Sequence, residues 1–134
     1  MIDARRWLGR ARSIEKEIDS LQNAKAETRE RLEKITQNYS SDGAQVSKDP
    51  HKFDKLVELE DMIDRRMNEL VSVKEEITET ICKLDDGRQR TVLLDYYIRG
   101  KSLEETAVHM SYSYASIKKI RARAIRSVEL IITE

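Results

Sequence analysis

The chain has 134 residues, with 25 basic and 25 acidic side chains, so its formal charge is zero; 37% of it is charged and 39% apolar. Four glycines and one proline exclude a turn-rich all-β fold and argue for long helices. One cysteine, Cys82, leaves no intrachain disulfide and fits a reducing compartment.

No charge-free apolar run approaches the roughly 18 residues that a membrane span needs. The start, Met1-Ile2-Asp3-Ala4-Arg5-Arg6-Trp7-Leu8, has charges but no long apolar run behind them, so a secretory signal is not expected. A soluble cytoplasmic protein without a membrane partner is the expectation. One Trp, one Phe and five Tyr are little aromatic mass for a compact core, so aliphatic stripes should carry the packing.

In residues 3–39, steps of three and four connect Ala4, Trp7, Ala11, Ile14, Ile18, Leu21, Lys25, Thr28, Leu32, Ile35 and Tyr39. Only Lys25 and Thr28 interrupt the apolar seam, which predicts a long helix packed in coiled-coil style. Gly9 is a weak point near its start. Residues 40–50 are rich in polar turn formers and read as a loop. Asp49-Pro50 then has the chemistry of a helix start, a cap followed by a residue whose missing N–H costs nothing. A second helix is expected from Pro50 to Leu84, where Leu56, Ile63, Leu70, Ile77 and Leu84 recur every seven residues. Leu59, Met67, Val73 and Ile81 widen that stripe beyond a two-stranded seam. Two such helices pack as an antiparallel hairpin, and the extra width implies another neighbour, such as a second copy building a four-helix bundle.

Asp85-Asp86-Gly87 ends the second helix and caps the next, expected from Arg88 to Arg99 with Gly100 as its stop. Val92, Leu93, Tyr96 and Tyr97 are its apolar residues. Ser102-Leu103-Glu104-Glu105 is a capping box opening a short helix to about Met110. Ser111-Tyr112-Ser113 makes a tight turn, in which Tyr112 should pack. A last helix is expected from Tyr114 to Ile131. The short and long helices across a three-residue turn have the form of a helix-turn-helix, with Ala107 at the crossing and Met110, Ile117 and Ile120 closing the core.

Charge agrees with that form. Between Thr106 and Val128 there is no acidic residue, while Lys118, Lys119, Arg121, Arg123 and Arg126 put five positive charges on one helix. A basic recognition helix neutralises phosphates while its N-terminal residues reach base edges, so double-stranded DNA is the expected partner. The fold class expected is all-α, with a long antiparallel helical hairpin over residues 1–84 for oligomerisation and a helix-turn-helix DNA-binding domain over residues 85–134.

The segments Leu84-Asp85-Asp86-Gly87-Arg88-Gln89-Arg90-Thr91-Val92-Leu93, Ser102 to Met110 and Ile117-Lys118-Lys119-Ile120-Arg121-Ala122-Arg123-Ala124 resemble region four of bacterial sigma-70-type factors. Region four commonly shows a glycine where this chain has Ser111, and a Leu-Pro start where it has Leu84-Asp85. The whole chain resembles ArpU-type late transcription regulators encoded by phages of Gram-positive hosts. Carried over by position, the resemblance implies that Tyr114, Ala115, Lys118 and Lys119 face base edges. It implies that Ser116, Arg121 and Arg123 lie nearer the phosphates; the charge run, rather than the resemblance, adds Arg126 to the DNA-binding set. Tyr114 and Ala115 replace polar residues of the primary factors, so a site other than their promoter element is implied, in the cytoplasm of a bacterial host.

The function expected is a sequence-specific transcription regulator of phage late genes, acting as a homodimer or higher homo-oligomer. A small-terminase-type DNA-packaging subunit also joins a helix-turn-helix to an oligomerising hairpin, and a ring of subunits would mark it. The third alternative is a sigma-like module that binds bacterial RNA polymerase. His51, His109 and Cys82 have no metal-ligand spacing, Cys82 reads as a small core-edge residue, and Trp7 reads as a core anchor. No phosphate loop or nucleophile–base set is present. No catalytic residue, metal or cofactor is expected, and the chain does not read as an enzyme.

Overall fold

The computed structural model describes residues 2–41 and 51–133, for 36–41 the backbone alone. The described residues form helices joined by short turns, without a strand. The helices are α1 (Ala4–Leu8), α2 (Arg10–Ser41), α3 (Asp54–Cys82), α4 (Gly87–Leu93), α5 (Leu103–Met110) and α6 (Tyr114–Ile132), and α4 runs on into a π turn, Leu94–Ile98. Of the loop expected over residues 40–50, Ser40 and Ser41 instead continue α2 to its end; residues 42–50, with the Asp49-Pro50 start, and the Tyr39 side chain lie outside the described residues. Residues 51–53 form a turn, so α3 begins at Asp54.

Gly9 separates α1 from α2, yet the helical ladder continues through it: its N–H donates to Arg5 O at 2.9 Å and its carbonyl accepts from Ser13 N at 3.1 Å. A Cβ at this position would stand 3.1 Å from Arg5 O, tighter than ordinary packing.

The chain divides into two compact units. The first comprises Met1–Ile14 and Leu70–Glu134, the second Glu15–Glu69. The first differs from the expected division at residue 85, and its core gives the reason. Leu8 and Ala11 from the start of the chain, and Ile77, Ile81 and Leu84 from the end of α3, are buried with Leu93, Tyr97, Ala124 and Val128. Enclosing each large aliphatic side chain stabilises the unit by about 1.5–3 kcal/mol. Ala4, Ala11 and Ala124 are the small residues of this core. Trp7 packs on its edge, with the Arg10 guanidinium over its ring at 4.8 Å. Cys82 is exposed, outside the core edge where its spacing had suggested it.

A second core in the same unit joins Val92, Ala107 and Ile117, with Leu103, Met110 and Ile120 packed against it. Within the π turn, Arg99 N reaches Leu94 O and Lys101 N reaches Asp95 O, both at 2.9 Å, and Gly100 takes φ 72°. The buried Asp95 carboxylate meets His109 Nδ1 of α5 at 2.5 Å and Arg99 Nη1 at 3.3 Å. A buried carboxylate is tolerated when it is paired in this way.

In the second unit Ile18 is buried on α2, and Leu56, Leu59 and Ile63 on α3. Glu17 pairs with Arg66, Lys25 with Glu60 and Arg29 with Glu60. Partners fall in number on α3 as they rise on α2, so within this unit the two segments run in opposite directions. Exposed pairs of this kind stabilise little individually. The α2 seam opens toward its end, where Ile35 is exposed. Phe53 of the preceding turn and Val57 and Met67 of α3 are likewise exposed, Met67 by 48% although its spacing places it beside the buried stripe.

Candidate nucleic-acid interface

The α5–turn–α6 segment is built by local chemistry. Ser102 Oγ accepts from Glu105 N at 3.0 Å while Glu105 Oε1 accepts from Ser102 N at 3.1 Å, which forms the capping box of α5. The end of α5 is a Schellman motif: Tyr112 N donates to Ala107 O at 3.0 Å, Ser111 N to Val108 O at 3.3 Å, and Ser111 sits in the left-handed region at φ 60°. Ser113 then caps α6, its Oγ accepting from Ser116 N at 3.1 Å. The second core, through Ala107 and Ile117, holds the two helices together. Tyr112 does not fill the turn and is 40% exposed. Arg88 is held above its ordinary pKa by the Asp86 carboxylate, then by Tyr112.

On α6, Ile117, Ala124, Ile125 and Val128 are buried. Tyr114, Ala115, Lys118, Lys119, Arg123 and Arg126 are exposed. Lys119, Arg123 and Arg126 follow at spacings of four and three, so they share the face turned from the core. No carboxylate of the described residues pairs with these cations or with Lys118. The Lys118 ammonium stands 5.4 Å from the Tyr114 ring centre. Ser116 is drawn into the cap, its Oγ accepting from Ser113 Oγ at 2.9 Å.

Arg121 departs from its expected place near the phosphates. Its guanidinium lies over the Tyr96 ring at 4.6 Å and over Tyr97 at 5.7 Å, and Nη2 donates to Tyr97 Oη at 3.1 Å. Its Nε is buried and makes no hydrogen bond. Arg12 of α2 stacks on the same Tyr96 ring at 4.3 Å and donates to Tyr96 O at 2.8 Å. Arg121 is therefore half-buried against the π turn, and four cations of α6 remain exposed.

His109, which has no metal-ligand spacing in the sequence, is paired with Asp95 instead. The signal for its partner was Asp95, an acid inside the apolar run Val92-Leu93-Leu94-Asp95-Tyr96-Tyr97. His51 meets Asp54 at 2.7 Å. Among the described residues no group of three or more His, Cys, Asp or Glu is gathered to hold a metal, and no helix is long and apolar enough to cross a membrane. No family model, curated protein or solved structure matches the chain.

Proposed function

We propose that this protein is a sequence-specific duplex-DNA-binding regulator of transcription, related in design to sigma region four and to phage late regulators. In this reading α5 and α6 are the two helices of a helix-turn-helix, and α6 enters the major groove. The observation that carries the reading is the outer face of α6: Lys118, Lys119, Arg123 and Arg126 are exposed and free of carboxylate partners, on a helix whose opposite face is fixed by the Val92–Ala107–Ile117 core. Lys119, in the N-terminal half of α6, reads bases, and Arg123 and Arg126 hold phosphates. The chain dimerises through the exposed Phe53, just before α3, and Val57 and Met67 of α3, which lie on one side of that helix and give the reader two half-sites.

The test is a salt titration on a duplex enriched by the protein from a random pool, beside an unselected duplex. If all four exposed cations of α6 reached phosphates, log K would fall against log salt with a slope of about −3.6 per subunit; with Lys119 on bases the slope is shallower. Arg123→Ala is expected to weaken binding to both duplexes and reduce the slope by about one. Lys119→Ala is expected to cost about 1–3 kcal/mol on the enriched duplex alone. If no sequence is enriched and both variants bind as the wild type does, α6 is not a DNA reader.

A second reading, the module that binds RNA polymerase, draws on α5, where Val108 is 81% exposed beside Glu104 and Glu105. Polymerase binding that survives loss of the α6 cations and fails in Val108→Glu would select it.

A further inference from the structure

Within the first unit, α1 packs along α6 through Ala4, Leu8, Ala124 and Ile125. Beside that contact lies an open groove, with Ile2, Asp3 and Arg5 on one wall and Ala122, Arg126 and Glu129 on the other. Arg5 and Arg126 therefore line one groove although they stand at opposite ends of the sequence. Arg5 is exposed and has no carboxylate partner among the described residues. The nearest acid in sequence, Asp3, is engaged elsewhere: its Oδ1 accepts from the backbone N–H groups of Arg5 and Arg6 at 3.1 and 3.3 Å, capping α1. Glu129 is the other acid on the groove. Arg126 shares the outer face of α6 with Lys119 and Arg123, so the cationic strip of that face continues across the groove to Arg5.

We infer that Arg5 is a DNA-phosphate contact outside the helix-turn-helix, and that the α1–α6 groove edge seats the duplex backbone flanking the bases that α6 reads. The inference rests on the DNA-binding reading of α6. The occupant follows from charge and continuity: a polyanion tracking the strip Lys119, Arg123, Arg126 meets Arg5 next. A guanidinium on a short, anchored helix is suited to a phosphate oxygen, which it can contact with two N–H groups.

The experiment uses the full chain and an unselected 30-base-pair duplex, followed by fluorescence anisotropy across a potassium chloride series. The variants are Arg5→Ala, Arg5→Lys, Arg123→Ala and, as a control on an exposed arginine of the second unit, Arg65→Ala. Arg5→Ala touches neither the Asp3 cap nor the Ala4 and Leu8 packing, so its circular dichroism and melting are expected to match the wild type. Its slope of log K against log salt is expected to be shallower by about one, as for Arg123→Ala. Arg5→Lys is expected to keep the slope, and Arg65→Ala to leave it unchanged. An unchanged slope in Arg5→Ala beside a reduced slope in Arg123→Ala would overturn the inference and leave the DNA reading of α6 standing. A wild type with no salt-dependent duplex binding would remove both.

Discussion

Arg121 shows how side-chain type and spacing can disagree at one residue. By type it belongs with Lys118, Lys119, Arg123 and Arg126. By spacing it lies four residues after Ile117 and four before Ile125, on the buried stripe of α6. Spacing prevails, because the guanidinium is flat and weakly hydrated enough to lie on Tyr96 and Tyr97. The same ring carries Arg12, so Tyr96 joins α2 and α6 to the π turn. Cation–π contacts of this kind stabilise by about 0.5–2 kcal/mol, and a hydrogen bond by about 1. Arg121→Ala is expected to destabilise the protein by about 1–3 kcal/mol in urea unfolding and to leave the salt dependence of DNA binding unchanged. Arg121→Lys keeps the charge, loses the planar stack and is expected to recover little. A stable Arg121→Ala protein with a shallower salt slope would return this residue to the phosphates. The remaining cations of α6 were legible because exposed charge needs no partner to be recognised. The Asp95–His109 pair was not, since its members belong to different elements and no local spacing connects them.

At the scale of elements, what depends on neighbouring residues was readable and what depends on distant packing was not. The capping box at Ser102 and Glu105, the stop at Gly100 and the start of α6 follow from chemistry within a few residues. The π turn does not: Leu94–Ile98 has no sequence mark of its own, and it lies where Tyr97 serves one core while Asp95 reaches α5. The division of the chain was hidden for the same reason, because the heptad line through Ile77 and Leu84 continues past the point where its partners change. The turn between α5 and α6 carries a local cost that a substitution can expose. A non-glycine residue in the left-handed region is strained by about 1–2 kcal/mol, and Ser111 adopts it at φ 60°. Ser111→Gly is expected to raise stability by up to about 1 kcal/mol, after the added freedom of the unfolded chain is set against the relief. A calorimetric melting point a few degrees higher is the measurement. A lower melting point would mean that the serine side chain holds the turn by a contact stronger than the strain.

For the whole molecule, the consequence concerns which pieces can stand alone. A fragment of residues 85–134 lacks Leu8, Ile77, Ile81 and Leu84, which close its core. It is expected to melt with low cooperativity, several kcal/mol below the parent. A chain joining residues 1–14 to 70–134 through a Gly-Ser linker retains that core and is expected to melt cooperatively. A fragment 85–134 as stable as the full chain would show that the N-terminal turns are dispensable. The second unit has its own test. Ile63 is buried within one chain, so a charge there reports on the α2–α3 packing. The probes of assembly are the exposed Val57 and Met67. Val57→Asp with Met67→Asp is expected to halve the sedimentation mass and keep the helical content, whereas a wild type that sediments as a monomer would remove the dimer. The sequence distance between the two parts of the first unit also sets an order of events during synthesis. Residues 15–69 can pair as they leave the ribosome. Leu8 and Ala11 must wait for Val128, which at about 5–20 residues per second is a delay on the order of ten seconds. Until then the apolar face of the first helix has only Ile77, Ile81 and Leu84 to pack on, so the nascent chain offers chaperones at the exit tunnel a partly covered site that the finished protein encloses.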